Sequence, residues 1–296
     1  IVYPTQRVYR STEHQLKVIS QKLASELKIT GPFNIQFLVK DNKPFVIEIN
    51  LRASRTFPML SKAMDINLPE LSVDAFFGKG IKQVYEYPNA VVVKSPQFSF
   101  ARLSGADPIL RVEMSSTGEV AAFGKDCNDA LLKSILSAST FNFSARGGSG
   151  NKKSILLSLG GQINKAKFLE AANSLNSLGY KIYATDTTAE FLTAQGVICE
   201  AVTKVSEKNI KNSKPNFLDI IESKEVAFVV NLSQEDPRIE PERIARHLGD
   251  GFRIRRATVD NQIPLFTDLH LARAFIKALE NYNIGDLEIK SYKEYL

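Results

Sequence analysis

The second half of the chain alternates strand-like and helix-like segments, and this alternation restricts the fold more than any other feature. Three of the strand-like runs are SILLSL (154–159), YKIYA (180–184) and VAFVVN (226–231), with helix-like segments in between. Strands that alternate with helices over ~130 residues predict a mostly parallel sheet covered by helices, which is a doubly wound α/β domain. Such domains bind ligands at the carboxyl ends of their strands.

The remaining elements of this half follow from the same patterns. We expect further strands at VICEAV (197–202), FRIRRATV (252–259) and IPLF (263–266). Helices are expected near residues 164–178, 188–195, 241–248 and 268–281.

A stretch rich in glycine and serine, SARGGSGN (144–151), separates this half from the first. Because glycine and serine replace apolar residues there, we place a linker at residues 144–152. The predicted domains are therefore residues 1–143 and residues 153–296.

The first half mixes helices and strands. It begins with an amphipathic helix at residues 12–28, in which Thr12 and Gln15 are spaced as a capping box. Two strands, at residues 33–39 and 45–50, are joined by the turn KDNKP (40–44). The patterns also predict a strand near residues 90–93 and helices at residues 57–64, 68–77 and 128–137, the second of these ending at Gly78.

Charge and composition limit the classes of partner. The net charge is +6, but 38 Lys and Arg are interspersed with 32 Asp and Glu and form no basic run, so we expect no nucleic-acid binding. No run of about 18 apolar residues is present, so we expect no membrane span. Cys127 and Cys199 lack metal-ligand spacing and fit a reducing compartment, which predicts a cytoplasmic protein.

One face of the predicted hairpin is polar. With the turn centred on Asn42, alternation of side chains places four polar residues on one face: Gln36, Glu48, Asn50 and Arg52. The opposite face receives three apolar residues: Phe45, Ile47 and Ile49. Amide and carboxylate oxygens suit Mg²⁺ that bridges nucleotide phosphates, and a guanidinium suits the phosphoryl group itself. A solvated hairpin face with no ligand is the alternative interpretation.

The sequence around this hairpin, GPFNIQFLVKDNKPFVIEINLRASRTFPMLSKAM (31–64), resembles the C-terminal core of the second ATP-grasp domain of carbamoyl-phosphate synthetases. The string SPQFSFARLSGADPILRVEMSSTGEVAAFG (95–124) resembles the segment that follows in this family, and its STGE motif (116–119) is interpreted as a structural turn. The resemblance implies that Gln36, Glu48 and Asn50 ligate Mg²⁺ or Mn²⁺, with Gln36 and Glu48 also binding ATP. It further implies that Arg52 contacts phosphate as a catalytic residue.

The second half resembles the methylglyoxal-synthase-like domain that forms the allosteric end of these synthetases, through strings such as LGYKIYATDTTAEFL (178–192) and FRIRRATVDNQIPLFTD (252–268). The resemblance implies a phosphorylated effector, a nucleotide or a sugar phosphate, bound by Lys165, Thr185, Thr188, Lys204, Asn231, Ser233 and Arg255. Independently, Thr185 to Thr188 lie between a strand end and a helix start, where backbone N–H groups and the helix dipole attract anions. Simple N-caps for the threonines and solvated lysines are the alternatives.

The family resemblance implies part of an ATP-dependent ligase that makes carbamoyl phosphate from bicarbonate, glutamine-derived ammonia and ATP, for pyrimidine or arginine synthesis. Its partners would be the upstream remainder of the synthetase, a glutaminase domain or subunit, and further copies in an oligomer. The strings NLS (231–233) and RIRRAT (253–258) resemble the pyrimidine-pathway type, which favours a uridine nucleotide as effector over phosphoribosyl pyrophosphate or N-acetylglutamate.

Two other functions fit the same residues. The chain is then either a regulatory module that only binds a phosphorylated effector, or the tail of another ATP-grasp ligase. Because this sequence contains no glycine-rich lid and no adenine-binding strands of an ATP-grasp site, we expect the isolated chain to be catalytically inactive.

Overall fold

The computed structural model of the chain describes residues 1–80, 88–109, 116–138, 154–203, 215–233 and 249–296. Its contacts form two compact units. The first comprises Ile1–Lys94, Ala121–Ala130 and Ile289–Leu296, and the second comprises Ser95–Val120 and Leu131–Glu288. The predicted linker at residues 144–152 lies outside the described residues, so the domain boundary stays a prediction.

The first unit is built from helices and a hairpin. The helices are α1 (Arg10–Glu26), α2 (Phe57–Ala63) and α3 (Leu68–Phe76), and the hairpin consists of β2 (Asn34–Lys40) and β3 (Lys43–Asn50). These bounds agree closely with the predicted ones, and Gly78 after α3 has the positive φ of 69° that favours glycine at a helix end. The strand β1 (Val2–Tyr3) pairs antiparallel with β4 (Val91–Gln97), and the helix α4 (Cys127–Ala138) follows later in the chain. Both β4 and α4 begin in the first unit and end in the second.

The sequence does not predict the strand β5 (Gly118–Gly124), which neighbours β4 in the sheet order β1-β4-β5. The STGE motif, interpreted from the sequence as a structural turn, bends at Thr117 and then leads directly into this strand. The hydroxyl of Thr117, just before β5, accepts a hydrogen bond from the backbone N–H of Ser99 at 3.1 Å.

The predicted capping box of α1 is also wrong. The helix begins earlier, with Tyr9 as its N-cap and no side-chain cap. Thr12 is buried and its hydroxyl donates instead to the carbonyl oxygen of Asn42 at 3.3 Å, which joins the helix to the hairpin turn. Thr12 lies inside the first turn of the helix, so its hydroxyl is not at the position that caps the first N–H groups.

The register of the hairpin places Gln36 opposite Glu48, as predicted, through a different geometry. Asp41 and Asn42 form a two-residue turn with φ of 51° and 60°, so Lys40 faces Lys43. That turn alone would pair Gln36 with Ile47, but a bulge after Gln36 shifts the register by one residue.

The bulge has a second consequence, at Phe45. Phe45 pairs with Leu38, which lies on the same face of β2 as Gln36. The prediction that Phe45 shares the face of Ile49 is therefore wrong, because the extra residue in β3 reverses the alternation of side chains.

The second unit contains a parallel sheet of five strands in the order β10-β9-β6-β7-β8. The strands are β6 (Ser154–Leu159), β7 (Lys181–Thr185), β8 (Glu200–Val202), β9 (Val226–Leu232) and β10 (Leu265–Phe266). The helices are α5 (Gln162–Ser177), α6 (Asp186–Ala194), α7 (Phe217–Glu222), α8 (Asp250–Asp260) and α9 (Leu269–Asn281). The predicted doubly wound α/β fold is confirmed.

Two elements of this unit differ from the prediction. FRIRRATV is not a strand but lies in α8, because its buried residues Ile254 and Thr258 are four residues apart, on one helical face. Helix α7 is not predicted from the sequence, although Asn216 and Asp219 form a capping box at its start. The helix predicted near residues 241–248 lies outside the described residues.

Both faces of the sheet are buried. Along β9, Phe228 and Val230 belong to one apolar cluster, and Val226 and Val229 to another. Burial on both faces explains why the strands are nearly continuous apolar runs. None of the helices in the described ranges is long and apolar enough to cross a membrane.

The ring of Phe228 is fully buried and contacts the rings of Tyr180, Phe266 and Phe275 at centroid distances of 5.4 to 5.9 Å. Phe228→Ala leaves a cavity at this position, so we expect the free energy of unfolding to fall by about 3–5 kcal/mol. Denaturant unfolding of the variant measures it. Phe77→Ala is the control, since Phe77 is 77% exposed and should change stability little. Equal effects of the two substitutions would contradict this account of the core.

Candidate functional sites

The carboxyl ends of β6, β7 and β9 meet at one edge of the parallel sheet. From the central strand β6 the chain passes through α5 to β7 on one side, whereas β9 lies on the other side of β6. The direction of winding changes between β6 and β9, and in open α/β sheets the crevice at such a point binds ligands. The predicted effector residues that the structure describes are found on the segments around this edge.

Thr188 connects the end of β6 to the start of α6. Its hydroxyl oxygen accepts a hydrogen bond from the backbone N–H of Leu159 at 3.0 Å, and the hydroxyl of Thr185 donates to it at 3.2 Å. Thr188 is completely buried, whereas Thr185 is partly exposed. Thr188 thus fixes the geometry of this edge, and Thr185 is the threonine that a ligand can reach.

Lys165 brings a positive charge to the same place. It lies in the first turn of α5 and is only 6% exposed, and its Nζ donates to the carbonyl oxygen of Thr187 at 2.6 Å. An ammonium group has three donors, so this bond leaves capacity for an anion beside the start of α6.

Arg255 organises the other side of the edge, at the end of β9. Its Nη1 donates to Oδ1 of Asn231 at 2.9 Å and to Oγ of Ser233 at 3.4 Å. Its Nε donates to Asp107 at 2.7 Å and its Nη2 to the second carboxylate oxygen at 2.5 Å. A Cβ at Gly251 would lie 3.2 Å from Nη1, so the first turn of α8 packs closely against this guanidinium.

Two of the connecting loops are held together by Asn164. Its Nδ2 donates to the carbonyl oxygens of Gly160, after β6, and Ser233, after β9, at 2.8 and 3.1 Å. The backbone N–H of Gly160 also donates to the carbonyl oxygen of Leu232 at 2.7 Å. Neither Asn164 nor Asp107 is among the site residues predicted from the sequence. Asn164 could have been found from its position in the first turn of the helix that follows β6, whereas nothing local marks Asp107.

The predicted effector residues thus fall into two groups at one sheet edge. Lys165, Thr185 and Thr188 surround the start of α6, and Asn231, Ser233 and Arg255 surround the end of β9. Lys204 lies outside the described residues.

The polar face of the hairpin in the first unit brings Gln36, Glu48 and Asn50 together. Gln36 and Glu48 are cross-strand partners, and Nδ2 of Asn50 donates to Oε1 of Glu48 at 2.9 Å. One carboxylate and two amides are oxygen donors of the kind that Mg²⁺ prefers, and these three side chains could hold such an ion if the amide of Asn50 turned its oxygen toward it. Nη1 of Arg52 donates to the carbonyl oxygen of Ala53 at 3.1 Å, and its side chain is exposed.

Two regions of the chain match known protein families. Residues 6–97 match the family model of an ATP-grasp in the biosynthetic pathway with Ter operon, and residues 167–267 match the MGS-like domain. Over 304 residues the chain is 33% identical to the human mitochondrial carbamoyl-phosphate synthase [ammonia], covering 100% of this chain and 19% of that protein. The chain belongs to the carbamoyl-phosphate synthetase family.

Other relatives of this synthetase segment are multifunctional proteins. The chain is 37% identical to pyr-3 of Neurospora crassa, covering 98% of this chain and 15% of that protein, and 38% identical to URA2 of Saccharomyces cerevisiae, covering 94% and 12%. The chain therefore spans less than a fifth of the length of these relatives. A methylglyoxal synthase structure from Elizabethkingia anophelis covers 49% of the chain and 90% of its own at 16% identity, with a TM-score of 0.32.

The role of Thr188 in fixing the sheet edge can be tested by substitution. Thr188→Val removes the buried acceptor of the Leu159 N–H, so we expect the free energy of unfolding to fall by about 1–3 kcal/mol. Thr188→Ser keeps the hydroxyl and should lose less. Denaturant unfolding of both variants of the synthetase segment measures the difference, and a serine variant as unstable as the valine variant would contradict the role of the hydroxyl.

Proposed function

We propose that this chain is the part of a carbamoyl-phosphate synthetase that completes its carbamate-phosphorylating site and carries its effector domain. The intact enzyme would make carbamoyl phosphate from bicarbonate, glutamine-derived ammonia and ATP. The observation that carries the proposal is the order of the two matched regions, an ATP-grasp segment followed by an MGS-like domain, along a chain whose relatives include a carbamoyl-phosphate synthase.

The effector of the second unit would be a phosphorylated anion. Helices α5 and α6 both begin at the sheet edge formed by the carboxyl ends of β6, β7 and β9, and neither has a side-chain cap. Their first N–H groups are therefore available to an anion. These groups and the helix dipoles favour negative charge, and Lys165 adds a full positive charge beside them. Among phosphorylated effectors we favour a uridine nucleotide, with phosphoribosyl pyrophosphate as the second choice.

The first unit would hold the metal and phosphates of ATP through the polar hairpin face. A bound Mg²⁺ or Mn²⁺ would neutralise the charge of the phosphate groups in transfer. Glu48 contributes the negative charge of the metal ligand set, and Gln36 and Asn50 contribute neutral oxygens. Arg52, which is exposed near the end of β3, would orient the phosphoryl group or its acceptor.

The wider setting follows from the same proposal. The chain would act with the remainder of the synthetase and with a glutaminase domain or subunit, in an oligomer, and in pyrimidine synthesis. Cys127 and Cys199 are free thiols, which suits the reducing cytoplasm. Burial raises the pKa of the Cys127 thiol, and the nearby Asp126 adds to the shift, so this thiol stays protonated and unreactive.

The effector proposal is tested by calorimetric titration of the chain with UTP, UMP, phosphoribosyl pyrophosphate and N-acetylglutamate. We expect saturable binding of a phosphorylated compound, weakened at least about tenfold by combining Thr185→Ala with Lys204→Ala, because each removes a hydrogen bond to a charged group. Lys181→Ala is the control, since Lys181 begins β7 at the opposite edge of the sheet and should leave binding unchanged. If none of the compounds binds, the effector proposal fails.

The metal proposal is tested in the intact enzyme with Glu48→Gln, which keeps the shape of the side chain and removes its charge. We expect carbamoyl-phosphate synthesis to fall by about 10²–10³-fold while the effector still binds, since the two sites lie on different units. Glu26→Gln, at the exposed end of α1, is the matched control and should retain full activity. Normal turnover of the Glu48 variant would exclude this carboxylate from the metal site.

A further inference from the structure

Two consecutive arginines of α8 hold a distant segment of the second unit. This docked segment, Phe100–Asp107, includes a 3-10 turn and is bound through its backbone by Arg256. Nη1 of Arg256 donates to the carbonyl oxygens of Leu103 and Ala106, both at 3.0 Å, and to that of Phe100 at 3.3 Å. The segment ends in Asp107, whose carboxylate binds Arg255.

The pair between Arg255 and Asp107 is asymmetric in its exposure. The side chain of Arg255 is 7% exposed and that of Asp107 is 34% exposed. The carboxylate therefore lies between the guanidinium and solvent. An anion that approaches from solvent meets Asp107 before it can reach Arg255.

The donors of Arg255 are nearly all in use. A guanidinium has five N–H donors, of which two point to Asp107 and two to Asn231 and Ser233. The one that remains cannot bind a phosphate group in the bidentate manner that makes arginine a phosphate ligand. For an effector at the end of β9, Arg255 becomes available only if Asp107 leaves.

We propose that Asp107 is an internal anion of the effector site, which a phosphorylated effector displaces from Arg255. The inference rests on the proposed function, because it assumes that the effector binds at this edge. The effector and the docked segment Phe100–Asp107 then compete for the guanidinium of Arg255, so binding of one weakens binding of the other. Coupling of this kind is reciprocal: loosening the docked segment must tighten the effector by the same factor.

Displacement of Asp107 would also change how a neighbouring strand is held. Only two residues separate the docked segment from the strand before it, β4, which spans Val91–Gln97. Release of the segment therefore removes a restraint from a strand whose earlier residues belong to the first unit. Asp107 would thus lower the affinity of the site for the anion, and its displacement would release the docked segment when the anion binds.

The test is titration of the whole 296-residue chain with UTP and, separately, with phosphoribosyl pyrophosphate, with uridine as the uncharged comparison. We expect Asp107→Asn to bind the phosphorylated probes at least about fivefold more tightly than the wild type, with no gain for uridine. Asp260→Asn is the matched control. Asp260 is the carboxylate partner of Arg256, the residue that follows Arg255 in α8, so this substitution makes the same change in charge. The Asp260→Asn variant should bind the probes as the wild type does.

Amide hydrogen exchange supplies an independent readout. Saturating UTP should speed exchange in residues 100–107 of the wild type, and Asp107→Asn should exchange faster there without any ligand. Should Asp107→Asn not fold, Arg256→Gln loosens the docked segment through its backbone contacts and must likewise tighten the phosphorylated probes. Binding by either variant that is equal to or weaker than wild type, or slower exchange of the segment with UTP, overturns the role of Asp107 alone. Failure of the wild type to bind either probe overturns the proposed effector site and this inference with it.

Discussion

The parallel pairing of β6 with both β7 and β9 determines where polar side chains that could bind a ligand come together in the second unit. Because all three strands run in the same direction, their carboxyl ends and the helices that follow them meet at one edge. Polar side chains from distant parts of the sequence are gathered there without any of the strands having to be polar themselves. The buried apolar faces fix the strands, and the edge is free to carry function.

Arg255 is a buried charged side chain at this edge and needs a partner of opposite charge. A guanidinium buried to this extent must be paired, since an uncompensated buried charge costs several kcal/mol. Asn231 and Ser233 offer only neutral acceptors, and the compensating charge comes from Asp107, far away in sequence. Asp107 lies in Ser95–Val120, which belongs to the second unit although it precedes the predicted domain boundary by many residues, and this ion pair is one of the contacts that join the segment to α8. An ion pair that is needed in the absence of ligand also gives an anionic ligand something to replace.

Much of the architecture could be predicted from sequence because it depends on local periodicity. The parallel sheet and most helices follow from it, whereas FRIRRATV fails because its arginines, one nearly buried, alternate with apolar residues like the polar side of a strand. The pairing of Gln36 with Glu48 is correct although the predicted turn centre is not, since the bulge in β3 compensates for the shorter turn. Asp107 could not be predicted at all. Its role depends on a contact across 148 positions, and no local pattern encodes it.

The two units differ in how much of their apolar surface they bury by themselves. In the second unit, strands such as β9 are covered on both faces by apolar residues of the same unit. In the hairpin of the first unit, Phe45, Val46 and Ile47 are 52%, 46% and 56% exposed. Because Phe45 and Val46 point to opposite faces, apolar side chains are exposed on both faces of the hairpin, which is typical of a segment that other protein covers. The proposed effector binding can therefore be tested with this chain by itself, whereas the proposed phosphoryl transfer has to be measured in the intact synthetase.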